Sequence, residues 1–327
     1  MLITLEALFL RYLSPKMEVV KDLDKWSFVD QSVVTIGTFD GVHRGHKKLL
    51  QKLIQIRDRK GGKSIVFTFD PHPRKVLFPD QKDLQLLSNR DEKIELIKKE
   101  GIDAVIVYPF TTAFSHIEPE KFIKEVLVDK LKVKTLVIGY DHKFGKDRKG
   151  DITTFKANAS KYGYEVEEIP AEEINAINIS STKIRKSLFE GDVKEAADFL
   201  GYTYFINGYV VHGKKLGKKI SFPTANIVLP DKDKLVPKNG VYLVGVEVGG
   251  FKGYGMMNVG TNPTTDTDEK IKLEVNIFNF DKDIYGELIK VEFIERLRDE
   301  KKFNSIDELI AAIKNDEINC KRILNIS

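Results

Sequence analysis

The sequence predicts an α/β doubly wound parallel sheet followed by a C-terminal antiparallel β-barrel with a terminal helix. Three observations carry that expectation. At 327 residues the chain exceeds the roughly 250 to 300 residues at which a single hydrophobic core stops growing, so two domains are expected. Over residues 32–170, short β-branched runs alternate with amphipathic stretches, the pattern of a sheet wound with helices. Beyond residue 204 the character changes to short strands punctuated by Gly, Pro, Asn and Asp, the pattern of a barrel.

Residues 1–16 are apolar at their start, but they lack a basic leader region, carry Glu6 and are too short to span a bilayer. They are read as an N-terminal extension, neither signal peptide nor anchor. The first domain is placed at 17–203. Its runs Ser32-Val33-Val34-Thr35-Ile36, Ser64-Ile65-Val66-Phe67-Thr68-Phe69, Ala104-Val105-Ile106-Val107-Tyr108 and Thr135-Leu136-Val137-Ile138 are nearly continuous in apolar character. Parallel strands covered on both faces read that way. Between them, 46–59, 90–100 and 119–131 carry apolar residues at helical spacing, which predicts helices there. Two short helices follow over 183–200, broken at Gly191-Asp192 and stopped by Gly201. The second domain, 204–327, opens with strand 205–211 and continues through strands near 241–246 and 273–278. A last helix is expected over 305–315, with Ser305 as N-cap and Glu308 completing a capping box.

Composition narrows the function. Before residue 206 there are 34 basic and 31 acidic residues, and after it 19 and 18, so neither half carries the positive excess of a nucleic-acid footprint. The Lys-rich stretch 214–219 is a local exception, better suited to polyphosphate than to a duplex. The single cysteine, Cys320, excludes an intramolecular disulfide framework, and no Cys/His spacing suits zinc. A reducing, cytoplasmic setting fits, with small-molecule partners, no nucleic acid and no membrane; a homo-oligomer is compatible with the sequence.

In a doubly wound sheet, ligands bind outside the carboxyl ends of the strands. After the strand ending at Ile36 comes Gly37-Thr38-Phe39-Asp40-Gly41-Val42-His43-Arg44-Gly45-His46, which delivers two imidazoles to the start of a helix. Glycines allow close backbone approach to a ligand, and a helix N-terminus offers free amides and a favourable dipole to phosphate. Further on, Gly213 and Gly217 precede Phe222-Pro223-Thr224-Ala225-Asn226, a second phosphate-handling pattern without a Walker loop. A fused pair of such modules suggests consecutive steps, one supplying the substrate of the other.

The first motif resembles that of the nucleotidyltransferase superfamily that includes class I aminoacyl-tRNA synthetases, a Rossmann-like fold. With Phe69-Asp70-Pro71-His72-Pro73, Gly139-Tyr140-Asp141-His142-Lys143-Phe144-Gly145 and Ile179-Ser180-Ser181-Thr182-Lys183-Ile184-Arg185, it resembles the flavin adenylyltransferase branch. The resemblance implies attack of the FMN phosphate on the α-phosphorus of ATP, forming FAD and releasing pyrophosphate. His43 and His46 would stabilise the reacting phosphate, with a cationic imidazole expected beside a phosphate cluster. Gly37, Phe39, Asp40 and Gly45 would form the ATP loop, Ser181, Thr182 and Arg185 would bind the departing phosphates, and Asp141 would hold Mg²⁺ or the ribose. Plainer readings stand beside these: Asp70-Pro71-His72-Pro73 as a rigid strand-exit turn, Ser180-Ser181-Thr182 as a helix cap. His142 departs from the aromatic residue usual in the family. His116 and His212 have no supporting pattern.

The second motif, with Gly240-Val241-Tyr242, Asn258-Val259-Gly260-Thr261-Asn262-Pro263-Thr264 and Glu274, resembles the riboflavin kinase module. Thr224 and Asn226 would bind phosphate and Mg²⁺, with Gly213 and Gly217 admitting the ATP phosphates. Glu274, in the apolar run Leu273-Glu274-Val275-Asn276-Ile277, is expected to line the barrel and to act as general base on the riboflavin 5′-hydroxyl; the plainer reading is an outward, solvated carboxylate. Asn276 and Thr265 depart from the family's usual His and aromatic residue. Together the matches resemble the bifunctional riboflavin kinase/FMN adenylyltransferase (prokaryotic FAD synthetase) family, with ATP as co-substrate, Mg²⁺ as cofactor and riboflavin, FMN and FAD as substrates and products. The competing readings are a kinase whose first domain has become a scaffold or flavin-responsive regulator, and a flavin-sensing or RNA-binding regulator, which the near-neutral halves disfavour.

Overall fold

Ser32–Ile36 forms strand β2, buried at all five positions because helices cover both faces of its sheet. A computed structural model describes the chain over residues 17–27, 29–80, 84–140, 142–170, 179–213, 222–262 and 270–325. In it the first compact unit runs up to Leu84 and over Ser88–Ile179, and the second comprises Gln85–Leu87 and the chain from Ser180 onward. The extension 1–16, Asp141, Gly217, Thr265 and the Lys-rich stretch 214–219 lie outside the described residues.

In the first unit the described elements follow as β1 (Glu18–Val20), β2, α1 (Arg44–Lys60), β3 (Lys63–Asp70), α2 (Pro73–Leu77), α3 (Arg90–Lys99), β4 (Ala104–Pro109), α4 (Thr112–Ser115), α5 (Pro119–Lys121), β5 (Thr135–Gly139), α6 (Ile152–Tyr162) and β6 (Glu165–Ile169). Helix α5 continues as a π-helix over Phe122–Lys130. The strands order as β1-β4-β3-β2-β5-β6, and every pairing is parallel. Chain progression therefore reverses at β2, which has β3 on one side and β5 on the other. Such a reversal opens a crevice at the carboxyl ends of the strands. The predicted strands lie where expected. Strand β6, not among them, is an acidic edge: Glu165 and Glu167 pair with Lys60 and Arg59 of α1, and Glu168 with Lys156 of α6. Charge on an edge strand discourages further pairing, and it also hides the strand from an apolar-run search.

In the second unit α7 (Ser181–Glu190) and α8 (Val193–Leu200) precede β7 (Phe205–Val211), β8 (Ala225–Val228), β9 (Gly240–Val248), β10 (Phe251–Asn262), β11 (Lys270–Ile277), β12 (Leu288–Arg298) and α9 (Ile306–Leu324). The six strands close an antiparallel barrel in the order β10-β11-β8-β7-β12-β9. Gly249 and Gly250, both at positive φ (53° and 79°), make the tight turn joining β9 to β10. The terminal helix is longer than the capping signal and the first apolar turns indicated. It packs Cys320 against Leu243 and Met256. Asp316, buried, accepts two bonds at 3.0 and 2.8 Å from the Arg298 guanidinium and so fastens α9 to β12.

Candidate active sites

The adjacent parallel strands β3, β2 and β5 end on the same edge of their sheet, so the loops after Asp70, Ile36 and Gly139 are brought together there. The central loop is built around rings. His43 is the N-cap of α1, and its Nδ1 accepts from the His46 backbone N–H at 3.4 Å. An acceptor Nδ1 leaves the proton of the neutral ring on Nε2. The two imidazoles stack with centroids 3.7 Å apart and planes 16° from parallel. Phe39 is fully buried at φ 50°, its ring 5.2 Å from that of His46. A Cβ on Gly37 would lie 2.9 Å from the Phe39 ring, and one on Gly45 would lie 3.2 Å from the His43 ring. Glycine at both positions admits the rings, which is a packing reason beside the phosphate-loop reason.

Asp40 is buried and fixes the loop rather than facing water: its Oδ1 accepts from the Ser88 N–H at 3.0 Å, and Ser88 Oγ accepts from the Gly41 N–H at 2.9 Å. His72 caps α2, its Nδ1 accepting from the Arg74 N–H at 3.2 Å, so the turn after β3 has a structural role of its own. His142 takes the place of an aromatic ring, 6.2 Å from both Phe144 and Phe155. The expected cationic imidazole is corrected by burial. His46 is held well below its usual value, first by desolvation, then by the charges of His43 and Lys93, and its Nδ1 is buried without a hydrogen-bond partner. His46 is therefore neutral near pH 7.

Lys93 was not legible as a site residue. It is buried on α3, its Nζ donating to Thr38 O at 3.3 Å and Phe69 O at 2.8 Å, beyond β2 and near the end of β3. The available signal was its spacing: Lys93, Leu96 and Ile97 share one helical stripe, where a lysine is out of place.

Ser181, Thr182 and Arg185 stand on α7, which belongs to the second unit. Ser180 is the cap, accepting from the Lys183 N–H at 3.3 Å, and leaves Ser181 and Thr182 in the first helical turn. Arg185 Nε donates to Gln85 O at 2.7 Å.

In the barrel, Leu273, Val275 and Ile277 are the buried side of β11, and Glu274 and Asn276 point to the opposite face. This overturns the expectation that Glu274 lines the barrel: closure assigns the inward face to the aliphatic residues, and an outward carboxylate avoids desolvation. The face it joins is polar by register. Glu274 lies directly opposite Asn226 of β8 on one side and Asn258 of β10 on the other. Directly opposed residues have Cβ atoms about 4.5–5.5 Å apart, so two amides flank the carboxylate. Lys272, also outward, pairs with Glu274 at 2.7 Å. A Cβ on Gly213 would overlap the Asn226 amide, so Gly213 is the space that this side chain occupies. Asn276 Nδ2 donates to Pro223 O at 2.7 Å and holds the turn carrying exposed Thr224. The departure from His thus has a local use.

Oxygen donors on Thr224, Asn226 and Glu274 suit a hard cation such as Mg²⁺, which takes few protein ligands and relies on substrate phosphates for the rest. Among the described residues no cluster of three His, Cys, Asp or Glu could hold a metal by itself, and no helix is long and apolar enough to cross a membrane.

Comparison with known proteins finds two families in tandem. Residues 27–183 match the FAD synthetase family and residues 200–324 the riboflavin kinase family. The bifunctional riboflavin kinase/FMN adenylyltransferase of Listeria monocytogenes is 39% identical over 90% of this chain and 92% of its own length. The protein of the same description from Escherichia coli K12 is 34% identical over 95% and 99%. A crystal structure described as a macrolide-efflux protein from Streptococcus pneumoniae superposes with a TM-score of 0.83 at 34% identity, covering 93% of this chain and 98% of that one. With both family signatures in tandem and its relatives matched almost end to end, the chain belongs to the bifunctional riboflavin kinase/FMN adenylyltransferase family.

Proposed function

We propose that residues 204–327 phosphorylate riboflavin to FMN with ATP and that residues 17–203 transfer the adenylyl group of a second ATP to FMN, giving FAD and pyrophosphate. The observation that carries the reading is the tandem of two matched families. The scaffold alternative, a kinase with a degenerate first domain, is disfavoured by the intact His43–His46 stack.

In the kinase step, Glu274 accepts the proton of the riboflavin 5′-hydroxyl as its oxygen attacks the γ-phosphorus of ATP; the bond to the β-phosphate oxygen breaks and ADP leaves. Thr224 and Asn226 hold the metal–phosphate end, Asn226 being fixed opposite Glu274 by strand register. Mg²⁺, when bound, neutralises charge on the transferring phosphate. In the adenylyl step, a phosphate oxygen of FMN attacks the α-phosphorus and the bond to pyrophosphate breaks. No protein nucleophile is needed, so His43 and His46 act by donating to the oxygens on which charge develops. The motif assigns Ser181, Thr182 and Arg185 to phosphate, Gly37, Phe39, Asp40 and Gly45 to the ATP loop, and Asp141 to metal or ribose; Phe39 and Asp40, being buried, would serve through their backbone. The substrates are small molecules, and the single cysteine accords with a cytoplasmic enzyme.

Product analysis by chromatography tests the reading. With ATP and Mg²⁺, the purified chain should convert riboflavin to FMN and FAD, and FMN to FAD. FMN alone from riboflavin would return the first domain to a scaffold, and no product in either tube would remove both activities.

A further inference from the structure

Burying an ammonium is costly, and a protein tolerates it where the charge has a use. Only 6% of Lys93 is exposed. Its two acceptors, Thr38 O and Phe69 O, belong to the backbone just beyond β2 and near the end of β3, so one side chain ties together the exits of two neighbouring strands. The charged groups around it come from several elements. Asp40 faces it from the motif loop, Asp70 from the end of β3 and His46 from α1, with His43 stacked on His46. On its own helix, Glu92 is engaged in the Asn89 capping box, and Arg90 pairs with Asp91 and lies 3.8 Å from Asp70. Desolvation, partly offset by Asp40 and Asp70, brings Lys93 down to about 8.

We propose that Lys93 is a positioning residue of the adenylyl-transfer site, its buried ammonium fixing the exits of β2 and β3 and supplying a shielded positive charge beside the His43–His46 pair. The inference rests on the reading of the first domain as an FMN adenylyltransferase. A cation shielded from water acts more strongly on a nearby phosphate than one in solvent. An imidazolium beside it would be repelled, which adds to the desolvation and the His43 charge that already hold His46 low.

The test uses the full chain with ATP and Mg²⁺, following FAD formation from FMN against pH, with riboflavin phosphorylation as the internal control. Because the charged form of Lys93 is lost as pH rises, FAD formation should fall through about pH 8 in the unaltered protein. Lys93→Arg, always charged, should move that fall to higher pH. Lys93→Met should lower FAD formation roughly 10- to 100-fold and abolish the fall, with riboflavin phosphorylation unchanged. A readout independent of turnover is the NMR titration of the imidazole rings: His46 should titrate at higher pH in Lys93→Met than in the unaltered protein.

Wild-type rates and an unmoved alkaline fall in both variants would overturn the proposal, as would a His46 titration indifferent to residue 93. Absence of any FAD from the unaltered chain would instead sink the activity reading, and the ring titration would still decide whether Lys93 sets the charge of His46. Should Lys93→Met fail to fold, the pH fall and ring titration in Lys93→Arg carry the decision, an unmoved fall counting against it.

Discussion

The two candidate sites are assembled by different backbone logic. In the first unit, the candidate groups Gly37, Phe39, His43, Gly45 and His46 come from one contiguous loop at the carboxyl end of a parallel strand, so neighbours in the chain are brought into contact, with His46 between the rings of His43 and Phe39. In the barrel, Asn226, Glu274 and Asn258 lie on three strands and meet only because antiparallel register sets them opposite one another. The environments differ as well. His43 is buried and His46 is desolvated, whereas the Glu274 side chain is 23% exposed and paired with a lysine. A loop site can exclude water with its own rings; a site on the outside of a barrel depends on substrate, metal and neighbouring segments to do so.

Substitutions that silence one site and spare the other sharpen this contrast most. Glu274→Gln keeps the size of the side chain and its place between Asn226 and Asn258 but removes the proton acceptor. Riboflavin phosphorylation should fall roughly 100- to 10,000-fold, and FAD formation from supplied FMN should persist. Parallel loss of both activities would break the two-site picture. His46→Ala removes a donor from the stacked pair, and FAD formation should fall roughly 100- to 1,000-fold while FMN accumulates from riboflavin. Undiminished FAD output would take His46 out of the reaction. Next comes Gly213→Ala. The added methyl would occupy the space of the Asn226 amide, forcing that side chain out of line with Glu274. A loss of about tenfold in phosphorylation, with adenylyl transfer intact, is expected in a direct kinetic comparison.

The same contrast governs what the sequence made legible. Strand β2 was visible because both its faces are buried, and the Gly37–His46 loop because its residues are neighbours in the chain. Strand β6 was not, because its glutamates are paired across to lysines and an arginine that only the tertiary fold brings near. The alternation Leu273-Glu274-Val275-Asn276-Ile277 correctly placed Glu274 and Asn276 on one face of the strand. It did not say which face is the core; barrel closure decides that, and it turned Glu274 outward. Opposition of Asn226 to Glu274 depends on register between β8 and β11, which are far apart in sequence, and that of Asn258 on the register of the β10–β11 pair, and the alternation within β11 encodes neither. Lys93 was hidden for a related reason. A lysine in an amphipathic helix is ordinarily solvated, and the carbonyls that hold this one come from two other elements.

The smallest expected effect bears on the departure at position 276. Asn276 does not replace the titratable role of a histidine; it donates to Pro223 O and thereby holds the turn that presents Thr224. A neutral, solvent-accessible hydrogen bond contributes about 1 kcal/mol net, which corresponds to roughly fivefold in an equilibrium constant. Asn276→Ala should therefore raise the KM for the ATP–Mg²⁺ complex about fivefold in riboflavin phosphorylation and leave kcat within about twofold, since Glu274 keeps its strand partners. A fall in kcat as large as that of Glu274→Gln would mean that Asn276 acts on the reacting hydroxyl itself, and the barrel site would then be a two-residue proton-handling pair. A change confined to KM leaves Glu274 as the sole proton acceptor and makes the Pro223 turn an element of phosphate binding.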